Sequence, residues 1–437
     1  VRAQAPAHTT RVTLLHFSDY HSHALPFYSE GRDEQGGIAR AIGYLRREKQ
    51  RGALVFSGGD MINKGSPAWS DKYRCQDWPW FDGIVDAMAL GNHEPDYGFA
   101  AMKACLSTIH FPVLSANTDG FTASRLFVVK GIRVGVFAIA GSDFKSLVKD
   151  PAFHFTDPVA AANDAVRDLR ETQHADVVVM IGHEHLDADF ALARDVPGID
   201  VIFGSHSHLK RDLMRIEGTS TWFISPFQYL AYISKLELTF RGHKLASVNG
   251  GLIPVDARMP LDKKVASRVA AMQHDLERDP QYAPLFAIVG TLTKPLSVDA
   301  LAARSVEIMR DAVHADVALS TASSFRQALP RGRVTLEALR AALPYDNEIL
   351  VYPMRGDAVE KLLAYGHSLE GGDSYAVVAG PPSFDREKVY RLATTDYLAK
   401  NAVGYRDFFA GLTPETAGLH VREEVRKWVS QRSQTRD

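Results

Sequence analysis

Seven side chains, set in five short polar clusters, have the types and order needed to hold two cations and hydrolyse an ester. The clusters are Asp19-Tyr20-His21, Gly59-Asp60, Gly91-Asn92-His93-Glu94, Gly182-His183 and His206-Ser207-His208. Two cations a few ångströms apart need hard or borderline ligands, with at least one carboxylate that bridges them and offsets their mutual repulsion. Asp60, on a Gly-Gly-Asp turn, is the expected bridge. Asp19 and His21 are two residues apart, so on an extended loop both reach one ion while Tyr20 points away, and His206 and His208 repeat that spacing. The expected shells are Asp19, His21, Asp60 and His208 around one ion and Asp60, Asn92, His183 and His206 around the other, each completed by solvent. His, Asp and Asn donors suit Zn, Mn or Fe. A single loop histidine says little, whereas the full set in this order says much more.

His93 is left for proton chemistry. Asp96 lies three residues on, where a short turn would bring its carboxylate to one imidazole nitrogen, fix the tautomer and favour the protonated ring. The other nitrogen would then face the substrate, stabilise a transferring phosphoryl group and protonate the leaving oxygen while a metal-activated hydroxide attacks in line. A plain surface His-Asp pair is the alternative. His16, His23 and His185 are expected to be supporting or structural, and Glu94 to pack or cap.

Each cluster follows a short apolar run: Val12 to Phe17, Ala53 to Ser57, Ala87 to Leu90, Val177 to Ile181 and Val201 to Phe203. These runs read as buried strands, and ligands at the carboxyl ends of strands in one α/β sheet system can converge although they are distant in sequence. Helix-like segments such as Gly37 to Lys49 and Pro158 to Thr172 alternate with them, so the fold class is α/β. A polar helix-favouring stretch from Asp256 to Asp279 reads as a linker helix. Beyond it Val298 to Ala312 and Thr335 to Ala342 are helix-like, and Val317 to Leu319 and Ile349 to Tyr352 strand-like.

The 437 residues suit two domains, and a 46% hydrophobic share is enough to bury both. With 50 Lys+Arg against 52 Asp+Glu, the net charge of -2 offers no basic field for a nucleic-acid polymer or an anionic membrane. No apolar stretch approaches the roughly 20 residues that cross a bilayer as a helix. Residues Val1 to Ala7 contain an Ala-x-Ala element like those around signal-peptide cleavage sites, so a periplasmic or extracellular location is expected, an arbitrary chain start being the alternative. Cys75 and Cys105 are the only cysteines, and a disulfide and two free thiols are both open.

Residues 12 to 253 resemble the calcineurin-like metallophosphoesterase superfamily, and the segments Asp86-Ala-Met-Ala-Leu-Gly-Asn-His-Glu94 and Gly204-Ser-His-Ser-His208 are similar to its bacterial 5'-nucleotidase / UDP-sugar hydrolase branch. Residues 291 to 410 resemble that branch's C-terminal domain through Ser324-Phe325-Arg326, Leu343-Pro344-Tyr345-Asp346-Asn347 and Leu392 to Ala399. The resemblance implies a four-layer αββα catalytic domain (8–255), a linker helix (256–290) and a smaller α/β substrate-binding domain (291–437). It also implies an aromatic clamp around a nucleobase, here Tyr375 and Tyr405, and arginines for anionic substrate groups, here Arg326 and Arg355. Stacking on two rings is worth roughly 1–3 kcal/mol per base, and guanidinium suits bidentate phosphate contacts.

The implied activity is an exported two-metal 5'-nucleotidase acting on nucleoside 5'-monophosphates, and on nucleotide diphosphates or UDP-sugars. Alternatives are the same chemistry on cyclic nucleotides or on a thiol-linked sulfate, and a non-enzymatic nucleotide- or metal-binding protein. The chain departs from the family's pattern on the specificity side. Asn401-Ala402-Val403-Gly404 stands before Tyr405 in place of Gly-Gly-Asp-Gly, with Gly371-Gly372-Asp373-Ser374 a partial match further back. Pro95 replaces the usual Phe, and the loop after Asp60 continues into an insertion rich in tryptophan, with Trp69, Trp78 and Trp80.

Overall fold

The computed structural model describes residues 9–369 and 374–432, so the Ala-x-Ala element and Gly371-Gly372-Asp373 lie outside the described residues. Contacts divide the chain into one unit of Val1–Phe27 and Glu34–His274 and another of Tyr28–Asp33 and Asp275–Asp437.

The first unit holds two six-stranded sheets. One runs in the order Lys244–Pro254, Tyr232–Arg241, Thr9–Phe17, Leu54–Ser57, Ala87–Ala89, Val113–Leu114; the other Lys210–Arg215, Trp222–Pro226, Val201–Phe203, Val177–His183, Ile132–Ala140, Ser124–Val129. Strand periodicity sorts their side chains. Val12, Leu14, Phe56 and Ala87 of one sheet meet Val134, Val136, Val177, Val179 and Phe203 of the other in a shared core. The alternate residues Phe137, Ile139, Val178, Met180 and Ile202 face outward, where Ala162, Ala165 and Val166 of the helix Pro158–Arg167 and Leu192 of Leu186–Asp195 cover them. On the far side the helix Ile38–Gln50 buries Ile38, Ile42 and Leu45 and contacts the strand Leu54–Ser57. The unit is thus layered helix, sheet, sheet, helix. Strands covered on both faces are buried at every position, as Val177–His183 is, which is why they read as continuous apolar runs.

The helix expected from Asp256 to Asp279 begins later than its composition suggests, at Lys263, and ends at Arg278. Asp262 caps it by accepting the Val265 N–H at 3.0 Å. The tryptophan-rich insertion is packed rather than solvated: Trp78 is fully buried, and the Asp77 carboxylate accepts from Tyr20 Oη at 2.5 Å and Trp69 Nε1 at 3.2 Å. A Cys75–Cys105 disulfide closes this region.

The second unit is built on a five-stranded sheet in the order Ala376–Ala379, Val317–Thr321, Val389–Thr395, Glu348–Arg355, Glu415–His420. Val298–Ala312 and Val421–Arg432 pack on one face through Leu301, Val306, Val425 and Val429. Gly356–Ser368 packs on the other through Val359 and Leu362. Among the described residues, no helix is long and apolar enough to cross a membrane.

Candidate metal centre

The seven expected ligands lie at or just beyond the carboxyl ends of five parallel-paired strands, Thr9–Phe17, Leu54–Ser57, Ala87–Ala89, Val177–His183 and Val201–Phe203. Five of them take a left-handed backbone: Asp19 (φ 50°), His21 (47°), Asp60 (52°), His206 (64°) and His208 (53°). That conformation costs a non-glycine residue roughly 1–2 kcal/mol and persists only where the surroundings enforce it. Here loop-to-loop hydrogen bonds do so: Asp19 N–H donates to Gly59 O at 3.1 Å, His21 N–H to Asp60 O at 2.9 Å and Ser22 N–H to Met61 O at 3.0 Å.

Two groups share Asp60. Asp19, His21, Asp60 and His208 form one and Asp60, His183 and His206 the other, each with ligand atoms within 4.8 Å of one another. In the first, His208 Nε2 is 3.2 Å from Asp19 Oδ1, His21 Nε2 3.7 Å from Asp60 Oδ2, and the two Nε2 atoms 3.0 Å apart. In the second, His183 Nε2 is 3.2 Å from both Asp60 Oδ2 and Asn92 Oδ1. His183 Nδ1 lies 2.6 Å from Gly58 O, which fixes that nitrogen as the protonated one and leaves Nε2 to face inward.

The donor set fits divalent cations. Asp19, His21, Asp60 and His183 are all within 1% of full burial, so two carboxylates converge where water cannot neutralise them. Burial opposes the charge of Asp60, yet His183, His93 and His21 hold its carboxyl well below the ordinary range. Burial likewise opposes protonation of His183, but Asp60 and Asp19 push its pKa up to about 10. This pull on a proton is one a cation would answer instead.

Glu94, buried beneath, caps the turn. Its carboxylate accepts N–H from Met61 at 2.7 Å, Asp60 at 3.1 Å and Gly91 at 2.6 Å. Gly91 is required because a Cβ there would collide with Asp60 Oδ1 and lie 2.6 Å from Glu94 Oε2. His93 donates its backbone N–H to Asp60 Oδ1 at 2.9 Å, while its Nδ1 sits 2.9 Å from Asp96 Oδ2, which also accepts the Lys64 N–H at 2.8 Å. The His93 side chain is one-fifth exposed (20%).

One side chain in this region has no counterpart in the sequence reading. Asp143 Oδ2 lies 3.0 Å from Nε2 of both His206 and His185. The signal was present, since the apolar run Ile132–Ala140 ends in Gly141-Ser142-Asp143 just as the other runs end in ligands. His16 and His23 are structural: His16 stacks on Phe203 at 4.7 Å, and His23 on Tyr229 at 3.5 Å.

Residues 12–210 match the calcineurin-like phosphoesterase family and residues 290–381 match the C-terminal domain of 5'-nucleotidases. The chain belongs to this two-domain metallophosphoesterase family. Protein UshA of Yersinia enterocolitica is 26% identical over 91% of this chain and 86% of its own length. A 5'-nucleotidase precursor from Thermus thermophilus shares the fold with a TM-score of 0.75 at 22% identity, covering 97% of each chain. Sulfate thiohydrolase SoxB from Thermus thermophilus does so with a TM-score of 0.74 at 19% identity, covering 97% of this chain and 94% of that one. As a member of this family the protein is a metal-dependent phosphoester hydrolase.

The four expected substrate residues of the 5'-nucleotidase C-terminal domain do not come together. Arg326 and Tyr375 share one end of the sheet: Thr321 pairs with Ala376, and the Ala322 N–H donates to Tyr375 O at 2.9 Å. Arg326 donates there to Tyr345 Oη at 3.1 Å. Tyr375 is half-buried, its ring 5.8 Å from His367. Arg355 is at the opposite end of Glu348–Arg355, which at about 3.3 Å per residue puts it roughly 20 Å from the Tyr345 end. It pairs with Asp357 at 3.3 Å and Glu387 at 3.0 Å, so it cannot share an anion with Arg326. Tyr405 also departs from expectation. It is 1% exposed, its ring packs 5.1 Å from Tyr365 and its hydroxyl donates to Ser374 O at 2.6 Å, so it is core and not an open clamp. The Gly404-Tyr405 pattern carries no information on burial, and the packing partner Tyr365 comes from a different helix.

Proposed function

We propose that the protein is an exported two-cation phosphohydrolase that removes phosphate from nucleoside 5'-monophosphates, with nucleotide diphosphates or UDP-sugars as further substrates. The observation that carries this reading is Asp60, whose carboxylate belongs to both ligand groups. One ion is assigned to Asp19, His21, Asp60 and His208, the other to Asp60, Asn92, His183 and His206. Divalent cations there would supply activated water and neutralise charge on the phosphoryl oxygens. Asp60 sets the spacing of the two ligand groups, and Glu94 holds its turn. His93 binds a phosphoryl oxygen or the leaving oxygen through Nε2 and passes a proton to the latter, with Asp96 fixing Nδ1–H and stabilising the charged ring. Catalysis is assigned to residues 8–255 and recognition to 291–437, with 256–290 as linker.

The support for export is the Cys75–Cys105 disulfide, a bond that persists chiefly in oxidising compartments. A nucleobase-free ester is the second reading, favoured by the burial of Tyr405, which leaves Tyr375 without the expected partner ring. Metal analysis of the purified protein, joined to a panel of AMP, UMP, ADP, UDP-glucose, a cyclic nucleotide, p-nitrophenyl phosphate and a thiol-linked sulfate, separates these. Nucleotides turned over no better than p-nitrophenyl phosphate would defeat the nucleotidase assignment, and sulfate release would move the protein to the thiol-ester chemistry.

A further inference from the structure

We infer that Asp143 is a positioning residue for the cation assigned to Asp60, Asn92, His183 and His206: it orients the His206 ring so that Nδ1 faces the ion, and His185 anchors it from the solvent side. The inference rests on the two-cation reading above.

Asp143 stands in the loop after the strand Ile132–Ala140 and starts the short helix Phe144–Leu147. Its Oδ2 is 3.0 Å from His206 Nε2 and 3.0 Å from His185 Nε2. An imidazole that donates Nε2–H to a carboxylate keeps one lone pair, on Nδ1, and His206 belongs to the group of Asp60 and His183. The two ring nitrogens are therefore divided between cation and carboxylate. A carboxylate behind a ligating histidine fixes its tautomer and raises its basicity.

The surroundings hold this arrangement in place. Glu184 ties the two loops together, accepting N–H from Ser142 at 2.7 Å and from His185 at 3.0 Å. Phe144, next to Asp143, is fully buried, with its ring 5.6 Å from that of His183 and 6.2 Å from that of His206. The His206 N–H donates to Asp19 at 3.2 Å, so backbone and ring are each fixed by a separate carboxylate. Asp143, His185 and His206 also group closely enough to ligate a third ion. That use would require His206 to lose its one ring N–H and bridge two cations as an imidazolate, whereas the 3.0 Å contact between His206 Nε2 and Asp143 Oδ2 has the length of a hydrogen bond that needs that proton.

The test is cation stoichiometry and affinity, by elemental analysis after dialysis and by chelator competition, on wild type, Asp143→Asn, Asp143→Ala, His206→Ala and the double variant Asp143→Asn/His206→Ala. Asn keeps the shape of the side chain and covers the case in which Ala fails to fold. The expected result is two ions in wild type, and in Asp143→Asn one affinity weakened about 10- to 100-fold with the other unchanged. In the double variant the losses should not add, because Asp143 acts through His206. Both ions held by Asp143→Asn at wild-type affinity would overturn the inference alone. A third ion in wild type, lost on Asp143→Asn, would overturn it in favour of a separate metal site. A single ion in wild type would overturn the two-cation reading and this inference together.

Discussion

Replacing His93 by Ala separates proton chemistry from metal binding. The His93 side chain contacts Asp96, and its ring sits edge-on to that of His21 at 5.1 Å, but it belongs to neither shared ligand group. The backbone N–H that supports Asp60 Oδ1 at 2.9 Å survives the substitution. Both ions should therefore remain. A positioned general acid is worth typically ~10²–10⁴ in rate, which at 1.36 kcal/mol per decade is about 3–5 kcal/mol of barrier. The loss should be near the upper part of that range for a nucleotide, whose sugar alkoxide is a poor leaving group, and under about tenfold for p-nitrophenyl phosphate, whose leaving oxygen needs no proton. Steady-state kcat on both esters, together with metal content, is the assay. A His93→Ala protein stripped of metal would refute the ligand assignment, and equal losses on the two esters would refute proton donation and leave His93 as a phosphoryl-oxygen contact.

Asp60→Ala should abolish hydrolysis and lower metal content, because both ligand groups lose their shared carboxylate; retention of two ions on elemental analysis would exclude it as the bridge. The Cys75–Cys105 bond spans 30 residues, so the double Ser variant should lose about 3–4 kcal/mol in denaturant unfolding by loop-closure entropy, and an unchanged midpoint would show that the region is held by Trp69 and Trp78 packing alone. Burial, partly offset by the Tyr20 and Trp69 hydrogen bonds, raises the Asp77 pKa to about 6. The folded state thus keeps a proton that the unfolded chain releases near pH 4. The Asp77 contribution to stability therefore falls as pH rises from about 4 to 6 and is level above, and Asp77→Asn should flatten Tm across that window; a slope as steep as wild type would assign it elsewhere. Tyr405→Ala should cost about 3–5 kcal/mol of stability as a core truncation, whereas Tyr375→Ala should leave Tm nearly unchanged and lower kcat/KM for nucleotides about 10- to 100-fold, with Phe harmless. Equal effects of Tyr375→Ala on nucleotide and base-free ester would remove base stacking from the account.

The sequence by itself determined the α/β layering and the places where chemistry could gather. Strands covered on both faces must be continuously apolar, so Val177–His183 and its neighbours stand out, and polar residues directly after such runs must emerge at the strand ends. Composition also located the helix Lys263–Arg278, although its start depended on a local cap at Asp262. What only the tertiary structure decided is everything that depends on which strands are neighbours and how far apart their ends lie. Arg326 and Arg355 look equivalent in sequence, and strand direction puts them at opposite ends of Glu348–Arg355. Tyr375 and Tyr405 look like a pair, and the packing of Tyr365 and Ser374 against Tyr405 makes one of them core. The Cys75–Cys105 bond depended on a Cα separation of 5.7 Å that no spacing in the chain specifies. The run Ile132–Ala140 marked the loop of Asp143 in the sequence, but its partners were decided only where the loops carrying it, His185 and His206 met, because a hydrogen bond between residues 63 positions apart is a property of sheet order and not of local pattern.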